Sequence, residues 1–103
     1  MLEVSRVRLD SISEPAVKLR PIDHVVVEEL ARSIAGSGLL QPIMVRPSEG
    51  KYQLVFGLHR VLACRSLGWS EIPAIIKEVA PEEVLLLQIV ENIQRNTAMN
   101  VLE

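Results

Sequence analysis

Tyr52-Gln53-Leu54-Val55-Phe56-Gly57-Leu58-His59-Arg60-Val61-Leu62-Ala63 reads as a strand that stops at a glycine and restarts as a helix. Residues 52–56 are rich in aromatic and branched side chains, and the helix after Gly57 runs to about Leu67, with Gly68 as its stop. Upstream, Leu39-Leu40-Gln41-Pro42-Ile43-Met44-Val45-Arg46 predicts a strand starting after Pro42. Pro47-Ser48-Glu49-Gly50 then predicts the turn that joins it to residues 52–56 as a hairpin. Further out, residues 4–9 alternate loosely and predict a first strand. Ser11 to Ile22, carrying Pro15 and Pro21, predicts an irregular loop, because proline removes a backbone donor and fixes φ. Asp23 is placed to cap a helix from about His24 to Ser37, with Val27, Leu30 and Ile34 as its buried stripe. Downstream, Ile72 to Val79 predicts another strand. Pro81, Glu82 and Glu83 open a third helix that runs to about Arg95. Strands and helices mix without strict βαβ alternation, which predicts a compact α+β domain.

The 103 residues suit one domain, and 49% hydrophobic against 23% charged residues suits a packed core. Eleven basic against thirteen acidic residues give a net charge of −2, a poor footprint for non-specific adhesion to nucleic acid or anionic membrane. Tyr52, Phe56 and Trp69 are the only aromatics, too few for a base-stacking platform. Cys64 is the sole cysteine, which excludes an internal disulfide and a cysteine-built zinc site. It sits among Leu62, Ala63 and Leu67, as a core residue would, and His24, His59 and Cys64 do not make a metal-ligand spacing. Neither a long apolar run nor a signal-peptide pattern is present, so the expectation is a soluble, cytoplasmic chain.

Three segments are candidates for chemistry. Gly57-Leu58-His59-Arg60 lies where a strand becomes a helix, and a helix start attracts anions. Cations are unfavourable in a first turn, so a bound phosphate would account for His59 and Arg60 there. The plainer reading is a tight turn, with Arg60 paired to an acidic side chain elsewhere and His59 on the surface. On the third helix, Gln88, Glu91, Asn92 and Arg95 share one face by spacing, opposite Leu86, Ile89, Val90 and Ile93. A carboxylate beside an amide oxygen suits a divalent cation that also meets phosphate; the plainer reading is a solvated face with a Glu91–Arg95 pair. In the loop 18–24, Lys18 and Arg20 could close over phosphates, and Asp23 could act as a base or metal ligand rather than as the helix cap that its type favours.

Leu39 to Arg46, Gly57 to Ala63 and Glu91-Asn92-Ile93-Gln94-Arg95 together, in this order and spacing, resemble the N-terminal domain of ParB partition proteins over nearly the whole chain. The resemblance implies the ParB/sulfiredoxin-like fold, with a small mixed sheet and about three helices, and a role in DNA segregation. It implies that residues 1–103 are a nucleotide-binding N-terminal domain taking CTP with Mg2+, with DNA recognition in a following domain absent from this chain. It further implies self-association, contact with a ParA-type ATPase, and a nucleoid-associated location. Carried over by position, Gly57 and Arg60 fall in the phosphate-binding turn, Glu91 and Asn92 match the magnesium-linked positions, and Arg95 closes that motif. Bacterial members typically carry Glu-Arg-Arg after the motif glycine; here those positions are Leu58, His59 and Arg60, and Lys18-Leu19-Arg20 stands loosely for their Gln-Pro-Arg loop. Gly-x-His-Arg also resembles the sulfiredoxin motif, but Leu58 holds the place of its catalytic cysteine, which argues against that reaction. Besides a weak CTPase activity, the enzymatic alternative is a free-serine kinase of the same fold, with Asp23 near the catalytic carboxylate.

Overall fold

The computed structural model describes residues 3–15, 21–38 and 41–102, with side chains of the last helix described as far as Ile93. Five strands, β1 (Val4–Arg8), β2 (Ile12–Ser13), β3 (Ile43–Ser48), β4 (Lys51–Phe56) and β5 (Glu71–Ile76), form one sheet in the order β1-β5-β3-β4-β2. The helices are α1 (His24–Ser37), α2 (Leu58–Ser66) and α3 (Pro81–Leu102). β1 runs antiparallel to β5 and β3 antiparallel to β4, while β3–β5 and β2–β4 are parallel, so the sheet is mixed.

The predicted hairpin forms, but its turn is tighter than expected. Pro47 and Ser48 belong to β3, and only Glu49 and Gly50 turn, with φ of 52° and 78°. Positive φ at both central residues matches the twist of the flanking strands, as two-residue hairpins require. Two further expectations need correction. The region from Ser11 is not wholly irregular: a 3-10 turn (Leu9–Ser11) leads into β2, which pairs with Tyr52 and Gln53. Arg65 secures this segment, donating from Nη2 to Leu9 O and Ile12 O, both at 3.0 Å. The third helix also continues past Arg95, to Leu102.

Alternation along the strands sorts side chains to two faces. Ile43, Val45, Leu54, Ile72 and Ala74 join Ile34 of α1 and Val61, Ala63 and Cys64 of α2 in one buried cluster. Met44 and Val55 meet Val79 and Val84 in a second, with Phe56, Ile75 and Leu87 packed against it. The sheet is therefore covered by α1 and α2 on one face and by the start of α3 on the other.

Capping fixes where the helices begin. Asp23 Oδ1 accepts from Val25 N (3.0 Å) and Val26 N (3.3 Å), so the carboxylate is the cap of α1. Ala80 precedes α3 and its N–H donates to Glu83 Oε1 at 3.0 Å, the reciprocal half of a capping box.

Candidate functional site

β4 ends at Phe56, and a register shift between Met44 and Val45 of β3 lies beside that end. Gly57 then turns the chain with φ 104° and ψ 25° and caps α2 without a side chain. A Cβ at this position would lie 2.6 Å from Ile43 Cγ2 and 2.9 Å from Ile43 Cβ. Glycine is thus demanded by backbone conformation and by the core beneath it, whatever binds above.

A cavity of about 300 Å³ opens over this turn. Gly57, Leu58, His59 and Arg60 form one wall, Val26 and Leu30 of α1 another, and Gln88, Glu91 and Asn92 of α3 a third. The chemistry is therefore one guanidinium, one carboxylate, one imidazole and three amides, from Gln41, Gln88 and Asn92, over an otherwise largely apolar lining. This combination suits a ligand with an anionic part and a flat, less polar part.

Arg60 is anchored at several points. Nη1 donates to Pro42 O at 2.9 Å and Nη2 to Gln41 Oε1 at 3.3 Å, and Nη2 stands 3.8 Å from Glu91 Oε2. The Arg60 and Glu91 side chains are 12% and 20% exposed. The candidate phosphate ligand and the candidate metal ligand, remote in sequence, thus form an ion pair at the edge of the cavity, the acidic partner for Arg60 that the plainer reading expected. Gln41 precedes the strand expected after Pro42 and carries no signal of its own in the sequence; its contact with Arg60 depends on the start of β3 and α2 meeting, which no local pattern reports. His59 is half-buried rather than on the open surface, and its Nε2 accepts from Asp23 N at 3.0 Å.

The orientation of α3 overturns the usual reading of an amphipathic helix. Gln88 is 7% exposed and donates from Nε2 to Val55 O at 3.0 Å, and Glu91 and Asn92 are half-buried. Leu86 and Ile93 are 60% and 58% exposed, and Ile89 and Val90 also face outward. The inward stripe is Val84, Leu87, Gln88 and Glu91: apolar over the sheet, then polar along the cavity. Lys18 and Arg20 lie outside the described residues, as does the Arg95 side chain. Among the described residues, no three His, Cys, Asp or Glu side chains gather into a metal-binding group. Cys64 is buried and desolvation pushes its thiol pKa up, so it is no nucleophile. Among the described residues, no helix is long and apolar enough to cross a membrane.

A mixed five-stranded sheet flanked by helices on both faces, with a cavity at the strand-to-helix glycine turn, defines a domain of the ParB/sulfiredoxin-like class. The chain belongs to the ParB N-terminal domain family, whose profile matches residues 1–93. It is 46% identical over 73 residues to the nucleoid occlusion protein of Halalkalibacterium halodurans, covering 71% of this chain and 26% of that protein. The chain thus spans about a quarter of that relative's length. The C-terminally truncated chromosome-partitioning protein ParB of Caulobacter crescentus, complexed with CTP-gamma-S, superposes with a TM-score of 0.82 at 32% identity, over 89% of this chain and 53% of that one. Sulfiredoxin from Arabidopsis thaliana superposes at 0.68, also at 32% identity, over 80% of this chain and 92% of that one.

Proposed function

We propose that the cavity binds a nucleoside triphosphate, CTP in preference, with Mg2+, and that the chain acts as the nucleotide-responsive N-terminal domain of a partition protein. One observation carries this reading: Arg60, in the first turn of a helix capped by glycine, meets the carboxylate of Glu91 in the lining of a cavity of nucleotide-compatible size. Backbone N–H groups and the helix dipole at residues 57–60, with the Arg60 guanidinium, suit phosphate oxygens. The half-buried carboxylate and amide of Glu91 and Asn92 fit a hard cation that keeps water and shares phosphate oxygens. Glu91 and Asn92 would hold the ion, which when bound neutralises phosphate charge. Lys18, Arg20 and Arg95 are proposed as further phosphate-binding residues. The CTP-gamma-S complex of the Caulobacter protein supports this choice of nucleotide.

The proposal extends to self-association and to contact with a ParA-type ATPase, with DNA recognition in a domain beyond this one. Calorimetric titration with CTP, ATP and ADP, with and without Mg2+, tests the nucleotide. Arg60→Ala should weaken binding by about 10- to 150-fold, since hydrogen bonds to charged groups are worth ~1.5–3 kcal/mol. Unchanged affinity in a folded Arg60→Ala variant overturns the site, and phosphoserine formed from free serine would transfer the reading to the kinase branch.

A further inference from the structure

His59 lies in the first turn of α2, and Asp23 caps α1 thirty-six residues earlier. The two meet through one hydrogen bond, from the backbone N–H of Asp23 to His59 Nε2 at 3.0 Å. An imidazole whose Nε2 accepts carries its proton on Nδ1 and is neutral. Both helices begin at the cavity, Val26 of α1 and residues 58–60 of α2 lining it, so this bond joins two of its walls. The Asp23 side chain is already occupied by Val25 N and Val26 N.

We propose that His59 is a positioning residue whose neutral imidazole clasps the α1 cap to the phosphate turn, fixing the separation of the cavity walls. Among the described residues, the charged and titratable groups of these elements nearest the turn are Asp23 and His24 at the start of α1, Arg60 beside His59 on α2, and Glu91 on α3. Protonation of His59 removes the acceptor. It also places a second cation next to Arg60, at the start of two helices, where positive charge is unfavourable. The clasp therefore opens on acidification through the range in which imidazoles titrate, ~5–8. This sign separates a clasp from a phosphate ligand, because an imidazolium that gripped phosphate would bind more tightly at low pH.

The test has one arm that needs no nucleotide. Amide exchange of Asp23 is followed by NMR in the free chain, corrected for intrinsic rates, in wild type, His59→Leu and His59→Gln. Glutamine keeps an acceptor and does not titrate. Wild type should lose protection by about five-fold on acidification, as loss of one neutral hydrogen bond implies. His59→Leu should be unprotected at every pH, and His59→Gln protected throughout. Equal protection in the leucine variant, at an unchanged melting midpoint, overturns the clasp. The second arm rests on the nucleotide reading and measures Mg-CTP affinity between pH 5.5 and 8, on the order of the imidazole range. Affinity should fall on acidification in wild type and stay level in His59→Gln; a rise in wild type overturns the clasp in favour of direct phosphate contact. If no variant binds CTP, the nucleotide reading fails and the exchange arm alone decides the clasp.

Discussion

Gly57→Ala tests whether the strand-to-helix turn is set by the core beneath it. Two costs can be read from the geometry. Alanine at φ 104° sits in a region that L-residues avoid, at about 1–2 kcal/mol. Its Cβ would also meet Ile43 Cγ2 at 2.6 Å and Cβ at 2.9 Å. Ile43 is fully buried between β4 and β5, so it cannot swing aside, and overpacking of this kind costs about 1–3 kcal/mol. The sum, about 2–5 kcal/mol, is a large share of the ~5–15 kcal/mol that holds a domain together. Urea unfolding followed by Trp69 fluorescence measures it, since Trp69 packs partly buried against the main cluster. Ile43→Ala removes Cγ2 and has its own cavity cost of about 2–5 kcal/mol. The double variant should be less destabilised than the sum of the singles by about 1 kcal/mol, because the closer clash disappears while the φ strain stays. A Gly57→Ala variant within about 1 kcal/mol of wild type, or strict additivity in the double, would refute the reasoning.

Reversal of the faces of α3 predicts that Leu86→Ser changes unfolding free energy by less than about 0.5 kcal/mol. Val84→Ala, in the cluster against Met44 and Val55, should by contrast cost about 1–3 kcal/mol in the same urea titration. Arg65→Met leaves the Leu9 and Ile12 carbonyls without their guanidinium and should lower stability by about 1–3 kcal/mol, with early loss of exchange protection in β2. Burial raises the Cys64 thiol pKa above its unfolded value. Folding therefore favours the protonated thiol, and this contribution is intact below the unfolded pKa and lost as pH rises past it. Stability should then decline above about pH 8.5 more steeply in wild type than in Cys64→Ala, and maleimide should label Cys64 only on unfolding.

Features governed by a few neighbouring residues were legible along the chain. Asp23 as the α1 cap, the break at Gly57, the β3–β4 hairpin and Cys64 as core all follow from local backbone preference and spacing, and the fold class follows from their order. The family was legible too, in three segments read together. β2 was not, because two residues in parallel pairing carry no periodicity of their own. Side-chain spacing divided α3 into a polar and an apolar face but could not say which one turns inward. That depends on what the helix crosses: Val84 and Leu87 meet the sheet, while Gln88 and Glu91 line a cavity where an apolar stripe would leave Val55 O and Arg60 without these partners. The same holds for Arg60 facing Glu91 and His59 holding Asp23. Each residue type was visible in the sequence, but the sheet order and the packing of three helices decided which of them meet, because such contacts join positions that only the folded chain brings together.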